Sequence, residues 1–171
     1  MNGDFIRCCA FSLVQEGGFC NVKGDPGGAT NHGITMATLS QALGRPATVL
    51  DVRNLTDAQA EAIYLPDYWS PVHGDQLPAG LDQVVFDFGV NAGPRTSIKR
   101  LQAVLGVDAD GVIGPGTLAA LAQYNVGSLI AVLSYSHTSY YQGLPGFGEF
   151  GEGWVARVQR CHVAAMAMLG S

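Results

Sequence analysis

Apolar residues recur at helical spacing through most of the chain. Phe5, Cys8, Cys9, Phe11 and Val14 predict a first helix over 4–16, capped by Asn2 or Asp4 and stopped by Gly17 and Gly18. The period then breaks. Residues 19–35, FCNVKGDPGGATNHGIT, are dominated by Gly, Pro, Asn and Asp and predict a turn-dense segment or short hairpin. Helical spacing returns over 36–43, with Thr35 as cap and Gly44 as stop, and over 57–65, between Thr56 and Pro66. Pro78 opens a helix that sets Leu81, Val84, Val85, Phe88 and Asn91 on or near one face. Pro94 opens the next, closed by Gly106, and Pro115 opens GTLAALAQY. Two more helices cover 127–141 and 152–168, separated by GLPGFGEFG. With almost no strand, the pattern predicts a mostly α domain of seven or eight helices around one core.

Composition narrows this further. The chain has 171 residues, of which 47% are hydrophobic and 13% charged, so it can bury a core without staples and is no disordered segment. Its 23 glycines show no period of three, which excludes collagen. The net charge is −5, and it is uneven: residues 1–50 sum to zero, 51–92 to −6 and 93–171 to +1. That balance excludes an electrostatically driven nucleic-acid binder. The first residues lack the basic start, apolar run and cleavage site of a signal peptide, and no apolar run is long enough for a membrane span. Cys8, Cys9, Cys20 and Cys161 have no CxxC spacing, and His32, His73, His137 and His162 are scattered. No zinc site and no cofactor are expected. Reduced thiols are the default, with Cys20–Cys161 or Cys8–Cys161 as pairings open in an oxidising compartment.

Few groups are left to carry chemistry. There is no GxSxG elbow, no HExxH, and DPGGATNHG lacks the Lys of a phosphate loop. What stands out is Glu16 in the last turn of an apolar helix, where the helix dipole disfavours a carboxylate. Two glycines and a loop with Asp25, Thr30, Asn31, His32 and Thr35 follow it. A partly desolvated Glu at a helix end suits general acid catalysis on a glycosidic bond, with Asp25, Thr30 or Thr35 across a cleft to hold a water. Against this, Asp25 before Pro-Gly-Gly is an ordinary turn former, Thr35 a helix cap, and His32 a loop hydrogen-bonder.

The run EGGFCNVKGDPGGATNHGIT resembles the opening motif of the glycoside hydrolase family 108 lysozymes, phage-type and bacterial N-acetylmuramidases. Glu16, Gly17, Gly18, Phe19, Asn21, Asp25, Gly27, Gly28, Thr30, Gly33, Ile34 and Thr35 carry the match. YLPDYWSPVHGDQLPAGLDQVVFDFGVNAG and RLQAVLGVDADGVIGPGTLAAL extend it over nearly the whole chain, the latter resembling a peptidoglycan-binding segment. The resemblance implies a lysozyme-like fold with a catalytic region over 1–92 and a helical region over 93–171 packed into the same domain. It implies that Glu16 is the general acid, cleaving the β-1,4 bond between N-acetylmuramic acid and N-acetylglucosamine. The step from Glu16 to Asp25 is also similar to the Glu, Asp, Thr arrangement of T4-type phage lysozymes, whose register places Asn31 nearest the Thr. Asp25, then Thr30 and Thr35, are the residues expected to orient water. Asn31, His32, Tyr68, Trp69, Asp87 and Asn91 are the candidate substrate contacts: Trp69 as a sugar platform, Asn91 for an N-acetyl group, and Asp87 as a structural acid first. The basic residues Arg95, Lys99 and Arg100 form a face for anionic wall groups.

The partner implied is bacterial peptidoglycan, bound by a monomer made in the host or bacterial cytoplasm and released through a hole-forming protein to act on the wall. A lytic transglycosylase, or a non-catalytic wall-binding or phage structural protein, are the alternatives.

Overall fold

Helix α5 (Leu81–Ala92) is buried on every side from Leu81 to Gly89, and the other elements are arranged around it. The computed structural model describes residues 3–21 and 28–170. α5 packs against α1 (Gly3–Glu16), α6 (Pro94–Leu105), α8 (Val126–Gln142) and α9 (Phe147–Met168). The expected one-sided face therefore does not form: a helix enclosed by neighbours is apolar all round. Asn91 lies past the buried run and is exposed.

Between α1 and α5 the chain forms an antiparallel pair, β1 (Thr30–Asn31) and β2 (Ile34–Thr35). Helices α2 (Met36–Leu43), α3 (Val49–Arg53) and α4 (Asp57–Tyr64) follow, then a π-helical turn over Leu65–Trp69 and a 3₁₀ turn over Gly74–Gln76. α7 (Pro115–Leu121) joins α6 to α8. The main core runs from Phe5 to Met168, with a smaller cluster of Phe88, Tyr141 and Val158 beside it, and the chain is a mostly helical, lysozyme-like single domain.

Local chemistry explains most boundaries. Thr35 Oγ1 accepts from Thr38 N at 3.2 Å, and Thr56 forms a reciprocal capping box with Gln59. Gly44 and Gly106 close α2 and α6 in the left-handed region. Three features differ from expectation. α3 was too short to show a period and rests on a Thr48–Asp51 capping box. Pro66 does not stop the chain, because the turn widens until Ser70 N reaches Leu65 O at 2.8 Å. α9 starts at Phe147, inside the expected loop, despite its glycines.

Trp69 is corrected by the fold. It is 1% exposed, with its ring 5.4 Å from those of both Phe5 and Phe86. Gly74 lies against it so closely that any side chain there would collide with the indole. No face of that ring is open to a sugar, and its energetic role is apolar burial in the core. Neither of the two pairings open to the cysteines is formed. Cys8, Cys9 and Cys161 are buried free thiols, and Cys20 is an exposed one. Burial pushes Cys8 and Cys161 well above the ordinary thiol range and Cys9 to about 12.

Candidate active site

Glu16 is the last residue of α1, and Gly17 ends the helix by turning left-handed at φ 79°. The β1–β2 hairpin reverses through two residues, His32 and Gly33, both at positive φ, the signature of a type I′ turn. This turn docks onto the end of α1. His32 N donates to Gly17 O at 3.2 Å, and His32 Nδ1 lies 3.3 Å from Leu13 O. Tyr64 from α4 donates its hydroxyl to His32 O at 2.8 Å. Gly33 thereby lies against the Glu16 carboxyl: a Cβ built on it would stand 2.8 Å from Oε2. Glycine is required here twice, for its backbone and for the space.

On the other side, Arg157 of α9 donates from Nη1 to Glu16 Oε1 at 2.6 Å. The same guanidinium reaches Asp87 of α5 twice, Nε to Oδ2 at 3.1 Å and Nη2 to Oδ1 at 2.9 Å. Ser12 Oγ adds a bond to Asp87 Oδ1 at 2.8 Å. Two carboxylates thus share one buried cation. Desolvation opposes the Arg157 charge, yet hydrogen bonding and attraction from Asp87, with Glu16 behind it, push its pKa up. An isolated charge at that depth would cost several kcal/mol, whereas the paired set compensates internally. The Glu16 side chain is 20% exposed, so it is partly desolvated as expected, and its nearest partner is a cation. Oε1 is committed to Arg157, while Oε2 faces the hairpin turn.

Three tyrosines ring this acid. Burial pushes the hydroxyls of Tyr64, Tyr68 and Tyr141 upward, and the nearby Glu16 charge adds to each. They are neutral donors at ordinary pH. Tyr68 is half-buried, its ring 5.1 Å from that of Tyr64, and so belongs to the same neighbourhood as Glu16.

The remaining expected residues divide. Thr30 and Thr35 are cross-strand partners, so both side chains lie on the half-exposed face of the hairpin. Thr35 also spends its hydroxyl on the α2 cap. Asn31 points the other way. It is buried, and its amide donates to Val52 O at 3.0 Å, tying the hairpin to α3. Asp87 likewise engages both oxygens internally and has none to offer a sugar, in keeping with its structural reading. His32 is the loop residue it was read as, half-buried with Nε2 3.8 Å from Asp57. Asn91 is exposed and accepts the Tyr141 hydroxyl on Oδ1 at 2.7 Å. Asp25 lies outside the described residues. On α6, Arg95 reaches the carbonyl of Asp110, Arg100 lies over the Tyr140 ring, and Lys99 is exposed, so only part of the expected basic face is free.

Sequence reasoning missed Arg157. The signal was present: in α9 it stands in register with the buried stripe Cys161, Ala165 and Met168, where an unpaired arginine could not stay.

Comparison with known proteins bears on this geometry. A protein-family model described as Glycosyl hydrolase 108 matches residues 9–93, a span that holds Glu16, the hairpin and Asp87 but not Arg157. Among solved structures, the chain is similar to that of Brucella abortus SagA, with 42% sequence identity and a TM-score of 0.85 over 98% of this chain and 97% of that one. No curated protein matches the sequence.

Proposed function

The chain belongs to the glycosyl hydrolase 108 family and is a glycosidase, and from that premise we propose that it hydrolyses the β-1,4 bond between N-acetylmuramic acid and N-acetylglucosamine in peptidoglycan, with Glu16 as general acid. The observation that carries this reading is the two-sided hold on the Glu16 carboxyl. Arg157 fixes Oε1 at 2.6 Å, and Oε2 lies beside the side-chain-free Gly33. The proton travels from Oε2 to the leaving oxygen. As it departs, negative charge develops on a carboxylate already bonded to a guanidinium, and this interaction strengthens along the reaction coordinate. Asp87 moderates the guanidinium, so the three groups together carry one net negative charge once Glu16 is ionised.

The water that attacks the anomeric carbon is assigned to Asp25, on its place in the family motif, and to the Thr30 hydroxyl, with Thr35 next to it on the same hairpin face. Asp87 has both oxygens engaged and is unsuited to be a nucleophile, which favours direct displacement with inversion. The helices beyond residue 92 act as part of the catalytic body, since α9 supplies Arg157. Acting as a monomer, the enzyme reaches the wall after synthesis in the cytoplasm; among the described residues no single helix is long and apolar enough to cross a membrane.

The test is a turbidity assay on purified walls. Native protein clears them, and Glu16→Gln loses about 10³-fold in rate. Mass analysis of the products shows reducing disaccharide-peptides, one water heavier than the anhydro products of a transglycosylase. Equal clearing by Glu16→Gln overturns the assignment.

A further inference from the structure

The chain has two tryptophans, and with Trp69 sealed in the core the second, Trp154, stands beside the site. On α9 it precedes Arg157 by three residues, about 4.5 Å along the axis and on the same face. Its ring lies 5.4 Å from that of Tyr141, tilted by 31°, and 5.9 Å from that of Phe150, a further turn back. Phe150 is 53% exposed. Gly146 closes on the outer end of this group, where a Cβ would stand 3.2 Å from Phe150 and 3.3 Å from Trp154. α5 runs alongside with a matching second tier. Four residues beyond Asp87, about 6 Å along the helix, Asn91 receives the Tyr141 hydroxyl at 2.7 Å. The first tier is thus Glu16, Arg157 and Asp87, and the second is Asn91, Tyr141, Trp154 and Phe150.

We propose that this second tier is a sugar subsite for an N-acetylated hexosamine of the strand whose scissile bond lies at Glu16. The proposal rests on the glycan-cleaving reading above. Two pieces of chemistry converge. The half-buried Trp154 and the exposed Phe150 offer the apolar surface on which the C–H face of a pyranose packs. The Asn91 oxygen is committed to Tyr141, which leaves the exposed Asn91 NH₂ as a fixed donor for the carbonyl of an N-acetyl group. Trp154 lies one turn before Arg157 on α9, and Arg157 holds the Glu16 carboxyl, so the two tiers follow each other along one helix.

The test uses the whole 171-residue chain carrying Glu16→Gln, to prevent turnover, and soluble glycan strands freed from peptide by amidase digestion. Trp69 is buried, so acrylamide quenching of tryptophan emission reports Trp154. Saturating strands should shield it, and Phe150→Ala should weaken that binding about fivefold. In the active background, Trp154→Ala and Phe150→Ala should raise KM about five- to tenfold with kcat within twofold, and Trp154→Phe should recover much of the loss. Asn91→Ala should erase the preference for N-acetylated over de-N-acetylated strands. Unchanged quenching with strands bound, a native KM in Phe150→Ala, or an intact preference for N-acetylated strands in Asn91→Ala overturns the subsite and leaves the Glu16 assignment standing. Full lytic activity of Glu16→Gln overturns that assignment instead.

Discussion

Arg157 Nη1 lies 2.6 Å from Glu16 Oε1, joining the last helix to the first across 141 positions of sequence. The same guanidinium neutralises Asp87 inside the bundle, so one side chain both orients the surface carboxyl and compensates a buried one.

Removing it should therefore damage fold and function separately. Arg157→Met leaves Asp87 buried without a cation and should cost about 3–5 kcal/mol in urea unfolding. Asp87→Asn added to it should restore much of that stability, because the stranded charge is gone, while wall clearing stays low. A double variant as unstable as the single one contradicts the charge account.

Gly33→Ala should abolish most activity at small cost in stability. Its Cβ would meet Glu16 Oε2 at 2.8 Å, and φ is +69°. A loss of about 1 kcal/mol in stability is expected from the backbone. Wall clearing should fall at least tenfold, because displacement of a positioned acid by a fraction of an ångström is costly. Paired thermal melts and turbidity rates separate the two effects.

Two buried titratable groups pull stability in opposite directions with pH. Burial pushes Asp82 from 3.8 up to about 6, so the folded chain holds that proton more tightly than the unfolded one. The resulting stability is complete below about pH 4 and is lost as pH rises through 6. Asp82→Asn should thus gain up to about 3 kcal/mol at pH 8 and nothing at pH 4. Burial pushes His137 from 6.5 down to about 3. Its contribution is present above pH 6.5 and lost as pH falls toward 3. His137 stacks on Phe88 at 3.7 Å, so His137→Phe keeps the packing and should flatten the acid limb. Melting temperatures from pH 3 to 8 read both.

The thiols give a further check on packing. Cys20 is exposed, and Cys8, Cys9 and Cys161 are buried. A chromogenic disulfide reagent should titrate one thiol quickly in native protein and four in denaturant. Rapid reaction of more than one would mean that the core opens readily.

Much of the fold was legible because caps are local. Thr35, Thr56, Gly44, Gly106, Pro94 and Pro115 marked their helix ends through chemistry confined to one turn. What burial decides was harder to read. Trp69 and Trp154 are the same residue type, each among aromatic rings and each with a glycine packed against it, yet one is sealed and the other half-buried. The site was half legible for the same reason. Glu16 was conspicuous against its helix dipole, and Asp87 was odd enough in an apolar run to demand a partner. Arg157, which meets both demands, was hidden by its distance in sequence. The fold role of Asn31 was hidden because its neighbours face the open side of the hairpin while it faces α3.

The joining of α1 to α9 has a consequence for synthesis. Residues 9–93 contain the acid, the hairpin turn and Asp87, yet lack the guanidinium that sets the acid's direction. Arg157 is made 141 residues after Glu16, so the carboxyl leaves the ribosome well before its partner. A fragment ending short of α9 holds the signature of the family and an unaimed carboxyl. Synthesis of α9 is thus the step that completes the setting of Glu16.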